Sequence, residues 1–256
     1  MLRKFLALPE TKNLDLDDPR TTAARRRIIE EKAFLKAFYG EWYEIVSAAL
    51  PPGRGTVLEL GSGAGFAKMR IPSCITSEII FCRFVDVILD GSCLPLRDHS
   101  LRAIIMIDVF HHLRKPRLFL AEAARCVEPG GRIVMIEPWV TAWAKFVYRH
   151  LHHEPFAPDS REWELPPAGP LSGANSALPW IVFQRDRDIF RSSFPEWVIS
   201  EIRPLMPVSY LFSGGVSLRS LMPGSLYRFW RRVEKWVSPW NDKLAMFALI
   251  ILDRHV

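Results

Sequence analysis

The sequence predicts an α/β protein built on an open, doubly wound, mainly parallel sheet. Three observations predict it. From Thr56 to Ile136 short apolar runs alternate with amphipathic stretches, and strands separated by helices imply a parallel sheet covered on both faces. The first run leads into a glycine-rich turn, "VLELGSGAGF" (57–66). The last run, Leu244–Leu252, is unbroken, as a strand buried on both faces must be. At 256 residues, 49% of them hydrophobic, the chain can bury a large core.

The elements follow in order. Residues 1–20 end in the turn-rich "LDLDDPR". Ile28, Ile29, Phe34, Leu35, Phe38, Trp42, Ile45 and Val46 recur at three- and four-residue steps, which predicts one long helix over 21–50. "PPGRG" (51–55) stops it. Strands are expected at Thr56–Leu60, Cys74–Ser77, Val85–Leu89, Ala103–Ile107 and Arg132–Ile136. A helix at Pro116–Val127 sits between the last two and ends in "EPGG", a chain-reversal signal. Beyond Trp139 the rhythm breaks. Residues 140–184 read as irregular, Asp186–Ser193 as a helix and Val198–Arg203 as a strand. A second irregular stretch, 204–240, carries a basic-aromatic helix. Two excursions between late elements of an open sheet are a natural way to build a lid over a pocket.

The formal net charge of +6 permits an acidic partner without specifying one. Basic residues are scattered and no nucleic-acid module is recognisable, so no nucleic acid is expected. Cys74, Cys82, Cys93 and Cys126 show no C-x-x-C spacing and read as reduced, mostly buried thiols of a cytoplasmic protein. "MLRKFLALPE" holds too short an apolar stretch for a signal peptide. No segment reaches about 18 uninterrupted apolar residues, so no membrane span is expected.

Ligands of open parallel sheets bind beyond the carboxyl ends of the strands, and bare backbone there lets a ligand approach. Gly61, Gly63 and Gly65 read G-x-G-x-G, with the third glycine one residue early for a dinucleotide fingerprint. Glu59, two residues before the first glycine, suits a ligand carrying an ammonium group better than a pyrophosphate.

With "VLELGSGAGF", "LDGSCLPLRDHSLRAIIMIDVFHHL" (89–113) and "FLAEAARCVEPGGRIVMIEPW" (119–139) taken together, the chain resembles the class I S-adenosylmethionine-dependent methyltransferases, particularly the bacterial type 11 branch. The resemblance covers roughly residues 55–138. It implies a Rossmann-like sheet of seven strands in the order 3-2-1-4-5-7-6, the last strand antiparallel, and S-adenosylmethionine as cofactor. It also implies that Gly61, Ser62, Gly63 and Gly65 bring backbone to the methionine part and that Glu59 helps hold the turn and the ammonium. Glu78 would then take the ribose hydroxyls, although its distance from Gly63 is shorter than the ~20 residues usual for such folds. Asp90, with Gly91 and Ser92, would meet the adenine, and Asp108 would lie near the methyl group.

His111 and His112 are general-base candidates at the end of the fourth strand, since imidazole titrates near neutral pH. Glu137, closing the fifth strand, is another; for the two histidines, "DVFHHL" (108–113) also reads as a structural turn. His152, His153 and Glu154 are candidates for substrate contact. No return cluster with defined ligand spacing accompanies them, so no metal is expected. In "GSLYRFWRRVEKWVSPW" (224–240), Leu226, Phe229, Trp230, Val233 and Trp236 share one helical stripe, with Arg228, Arg231, Arg232 and Lys235 largely elsewhere. Such a helix can lie on the inner face of an anionic membrane, or pack as a lid with a solvated basic face, and the second reading is preferred. The expected acceptor is a small molecule or a lipid-like one, methylated on a hydroxyl or amine. Two other classes stay open: a methyltransferase-like protein that binds without catalysis, and a nicotinamide oxidoreductase, which the glycine spacing disfavours.

Overall fold

The computed structural model describes residues 8, 17–63, 66–151, 154–167, 169 and 171–255. Helix α1, Pro19–Glu31, starts where Asp18 accepts the Arg20 N–H at 2.8 Å and Pro19 occupies the first turn. The expected single helix over 21–50 is two helices. Lys32 leaves the helical region at φ −85°, ψ 94°, and α2 runs from Ala33 to Ala48. The break is held from outside: Lys32 Nζ donates to the carbonyls of Gly215 (2.6 Å) and Leu218 (2.7 Å).

Seven strands follow: β1 (Thr56–Glu59), β2 (Ile75–Glu78), β3 (Val87–Ile88), β4 (Leu101–Ile107), β5 (Val127–Pro138), β6 (Trp197–Leu205) and β7 (Phe247–Arg254). Their order is β3-β2-β1-β4-β5-β7-β6. β7 is antiparallel to both its neighbours, and the β1–β5 pairings are parallel. The sheet is covered on both faces, and a period of two divides its side chains. Ile104, Met106, Ile133, Met135, Ile250 and Leu252 belong to one core cluster, while Ala103, Ile105, Val134, Ile136, Leu249 and Ile251 belong to the other. This is why β4, β5 and β7 read as continuous apolar runs.

Helix α3 (Pro116–Cys126) packs on the first face through Phe119, Leu120 and Ala123. Helix α2 covers the second through Phe34, Phe38, Trp42 and Val46. The "EPGG" reversal lies inside β5 as an irregularity, with Leu101 opposite Val127 and Ala103 opposite Arg132. Gly131 is required there, because a Cβ would stand 2.6 Å from the Arg102 carbonyl oxygen.

Residues 140–184 are more regular than composition suggested. Helix α4, Ala142–His150, is capped by Thr141, whose Oγ1 accepts from Ala144 N at 3.0 Å and donates to the Ala245 carbonyl at 2.8 Å. A short α5 (Leu178–Trp180) passes into a π-turn at Ile181–Arg185, then α6 (Arg187–Ser193). The second excursion holds α7 (Ser209–Ser213) and α8 (Tyr227–Val237), and α9 (Asn241–Leu244) follows it before β7. No helix among the described residues is long and apolar enough to cross a membrane. Cys74, Cys82 and Cys126 are buried free thiols and Cys93 is an exposed one.

Candidate functional site

A cavity of about 820 Å³ opens at the carboxyl ends of β1, β2 and β4. Its first end is the turn after β1. Ser62 staples that turn to β2: its N–H donates to the Ser77 carbonyl at 2.7 Å, and its Oγ accepts from Ser77 N at 3.0 Å. Gly63 N donates to Glu78 Oε2, and Ile79 N to Glu78 Oε1, both at 2.9 Å. Burial pushes the Glu78 carboxyl up, and these two N–H donors oppose the shift.

The two described glycines of the turn serve different purposes. Gly61 (φ +66°) is bare because a Cβ would sit 2.6 Å from Val109 Cγ2. Gly63 (φ +51°) faces open space, with nothing within 4 Å of an added Cβ, and it lines the cavity. Gly91 resembles Gly61, since a Cβ there would meet Leu60 Cδ2 at 2.8 Å. Asp90 is exposed on the cavity wall and accepts the Ser92 N–H at 2.8 Å. Glu59 stands behind the wall. Its Oε1 accepts from the Tyr43 hydroxyl at 2.8 Å, while buried Oε2 has no partner. Burial pushes this carboxyl up to about 7.

The cavity's middle is made where β4 ends. Asp108 takes the left-handed conformation (φ +62°) and lines the cavity. Burial pushes its carboxyl up to about 7, against the pull of His111. Glu137 is fully buried at the end of β5 and organises this turn. Its Oε1 accepts Val109 N (2.8 Å) and Phe110 N (2.7 Å), and its Oε2 meets His111 Nδ1 at 2.8 Å. His111 is buried too, and its Nε2 points toward Glu154 Oε2 at 3.4 Å, close enough for charge pairing but outside hydrogen-bond geometry. Burial alone would lower the His111 pKa; the carboxylates of Glu137, Glu154 and Asp108 carry it well above the ordinary value. His112 lines the cavity, with Nδ1 3.1 Å from the Gly173 carbonyl and Nε2 3.9 Å from Glu154 Oε1. Burial, then His111, pushes it down to about 4.

The cavity's far end is apolar. Val147, Leu151, Leu211, Phe212, Leu218 and Leu221 line it, all from the two late excursions. Tyr39 and Tyr210 add phenols whose pKa burial raises, so both stay neutral.

Residues 67–135 match the family model described as a methyltransferase domain. The match spans β2, β3, β4, α3 and most of β5, and makes this part of the chain similar to a methyltransferase domain. The fold recurs at low identity in solved structures. One is from a complex between the Haloferax volcanii Trm112 methyltransferase activator and a methyltransferase, at 16% identity and TM-score 0.55, covering 94% of this chain and 97% of that one. Another is geranyl diphosphate C-methyltransferase from Streptomyces coelicolor A3(2), with Mg2+, geranyl diphosphate and S-adenosyl-L-homocysteine, at 13% identity and TM-score 0.53, covering 97% and 90%. A third is the [4+2]-cyclase SpnF, at 13% and 0.50, covering 84% and 80%. No curated protein matches the chain significantly in sequence.

The cavity brings together Gly61, Ser62, Gly63, Glu78, Asp90 and Asp108, along with Gly91, Ser92, His112 and Glu154. Gly65, His152 and His153 lie outside the described residues. Glu137 and His111 do not line the cavity: both are buried behind it, and the three donors on Glu137 make it a brace for the β4 turn rather than a free base. Sequence reading missed Arg25, Tyr39 and Tyr43, which reach the cavity from α1 and α2. The four-residue spacing of the two tyrosines, on a helix otherwise apolar on that face, was the available signal. The meeting of Glu154 with His111 and His112 joins segments far apart in the chain and had no local signal.

Proposed function

We propose that the protein transfers the methyl group of S-adenosylmethionine to a hydroxyl or amine of a small, largely apolar acceptor, lipid-like molecules included. One observation carries this reading: a single cavity runs from the glycine turn, Glu78 and Asp90 at one end to an apolar wall at the other, with polar side chains between. Its volume of about 820 Å³ lies toward the upper end of the roughly 300–1,000 Å³ usual for one ligand, which suits a cofactor and an acceptor side by side.

Methyl transfer is an in-line displacement in which the sulfonium charge disappears. A site that held that charge tightly would favour the ground state over the transition state. The cofactor is therefore best anchored by its ends. In this assignment Gly63 gives bare backbone to the methionine part, Glu78 accepts the ribose hydroxyls, and Asp90 with Gly91 and Ser92 meets the adenine. Glu59, buried behind the wall, acts indirectly by bracing the Tyr43 hydroxyl, which lines the cavity. The methyl then faces Asp108, and the acceptor must hold its lone pair about 3–3.5 Å away in line. Val147, Leu151 and the 208–221 segment hold the acceptor's apolar body and act as its lid.

Calorimetry with S-adenosylhomocysteine against NAD tests the cofactor half. We expect binding of the first alone, and a loss of at least tenfold in Gly63→Val, whose side chain would fill open cavity. Unchanged affinity in a folded variant would overturn the placement. The fold's occurrence in a [4+2]-cyclase keeps a second reading in view, a protein that uses this pocket without methyl transfer. Mass spectrometry of cell extracts incubated with protein and cofactor separates the two, since only transfer yields a product one methylene heavier.

The outer face of α8 supports a further reading of where the acceptor comes from. Phe229 and Trp236 are 53% and 76% exposed, beside exposed Arg228, Arg232 and Lys235. In this reading α8 rests on an anionic lipid surface.

A further inference from the structure

We propose that His111, His112 and Glu154 form a binding site for one divalent transition-metal ion, of the zinc or iron kind, at the acceptor side of the cavity. The tautomers are fixed by what the imidazoles touch. Glu137 Oε2 and the Gly173 carbonyl can only accept, so His111 Nδ1 and His112 Nδ1 both carry hydrogen. Both Nε2 atoms are thereby left to face the same carboxylate, at 3.4 Å and 3.9 Å. A cation lets two imidazole nitrogens and a carboxylate converge, either a proton on His111 Nε2 or a metal ion taking that proton's place. His111 Nε2 is fully buried and has no hydrogen-bond partner, which marks where a partner is missing.

The geometry is that of a ligand set. One donor atom from each of the three residues lies within 4.8 Å of the others. Two ligands about 2.1 Å from a tetrahedral ion are roughly 3.4 Å apart, so small side-chain movements close the set. The outer partners are in place as well. A metal-bound histidine commonly gives its other N–H to a carboxylate or a carbonyl, and Glu137 and Gly173 supply one of each. Two nitrogens and one oxygen favour zinc, iron, cobalt or manganese over magnesium. His112, Glu154 and Asp108 line the cavity, so the vacant coordination position opens toward the acceptor, the arrangement of a catalytic rather than a structural ion. An acceptor hydroxyl taking that position would give its proton to water. Its oxygen would then attack the methyl carbon, and the carbon–sulfur pair would leave with sulfur as neutral S-adenosylhomocysteine.

The test uses full-length protein stripped with chelator, titrated with Zn2+ by calorimetry and with Co2+ by visible absorption. We expect one ion per chain, with cobalt bands reporting nitrogen ligands and no competition from millimolar Mg2+. Glu154→Gln and His112→Gln should each weaken binding at least tenfold, and Glu137→Gln by roughly 10–100-fold through the orientation of His111. His99→Gln, remote from the cluster, should leave it unchanged. Absence of a stoichiometric ion, or equal binding in Glu154→Gln and His112→Gln, would overturn the site and assign the cluster to a shared proton only. The metal site rests on the chemistry of its own ligands. Binding of S-adenosylhomocysteine by the same preparations tests methyl transfer separately and shows that each variant is folded.

Discussion

A buried carboxyl with one unpartnered oxygen, as at Glu59, costs the empty protein stability whenever it is ionised. Its pKa is raised by burial from 4.5 to about 7, so the folded chain binds a proton more tightly than the unfolded chain. The protonated form's advantage is fully present below about pH 4.5 and is lost as pH rises toward 7. A shift of that size corresponds to about 3 kcal/mol. We therefore expect Glu59→Gln to be more stable than the parent at pH 8 and nearly equal at pH 4.5, with the difference growing between. Urea melts across that range measure it, and a pH-independent difference would refute the assignment.

Helix α8 shows how an element's sequence pattern can mislead about the face it buries. The stripe of Leu226, Phe229, Trp230, Val233 and Trp236 suggests an apolar contact. Of that stripe Trp230 turns inward, onto Phe212, while Phe229 and Trp236 stay in solvent; the helix otherwise docks through Tyr227 and Glu234, with Arg231 half-buried between them. Glu234 accepts Val208 N (2.8 Å), Ser209 N (2.6 Å) and Ser209 Oγ (2.6 Å), and so caps α7, while Arg231 bridges it to Glu41 on α2. Glu234→Ala would orphan two backbone N–H groups at the start of α7 and leave Arg231 short of a partner. We expect a loss of roughly 2–4 kcal/mol, seen as a melting temperature about 4–16 °C lower. The acceptor wall over 208–221 should loosen while S-adenosylhomocysteine affinity holds; loss of cofactor affinity instead would mean that α7 supports the cofactor end. The same contrast explains what was legible. Strands β4, β5 and β7 announce themselves because burial on both faces demands unbroken apolar runs. The glycine turn is legible because backbone constraints are local. The break at Lys32 is not, because Gly215 and Leu218 hold it from nearly 200 residues away. Helix α4 was hidden for a related reason: it buries only Ala144, Val147 and Tyr148, too few apolar positions to set a period.

At the scale of the whole molecule, the glycine-turn end of the cavity, proposed for the cofactor, and the apolar end, proposed for the acceptor, draw on different parts of the chain. The first comes from local turns after β1, β2 and β3, the second from the two late excursions, with α1 and α2 closing the side. That division places α8 beside the apolar end, where Trp230 packs on Phe212 of the cavity wall with ring centroids 4.5 Å apart. Its outward aromatics therefore stand next to the part of the protein that would receive an apolar acceptor. Trp240, also about half exposed, extends the patch, and its ring lies 6.4 Å from that of Trp236. Arg228, Arg232 and Lys235 flank it, and each cation near an anionic surface is worth about 1 kcal/mol at physiological salt. If α8 is the docking element, the protein should sediment with vesicles containing phosphatidylglycerol and remain free with phosphatidylcholine alone. Binding should fall as salt rises, because charge screening shortens the reach of the cations. Removing all three cations should cost roughly 3 kcal/mol, on the order of a hundredfold in partitioning. Phe229→Ala with Trp236→Ala should weaken binding without altering the melt, since both rings are largely in solvent. Equal recovery from anionic and neutral vesicles, or binding indifferent to these five side chains, would leave α8 as a solvated lid and place the acceptor's source in solution.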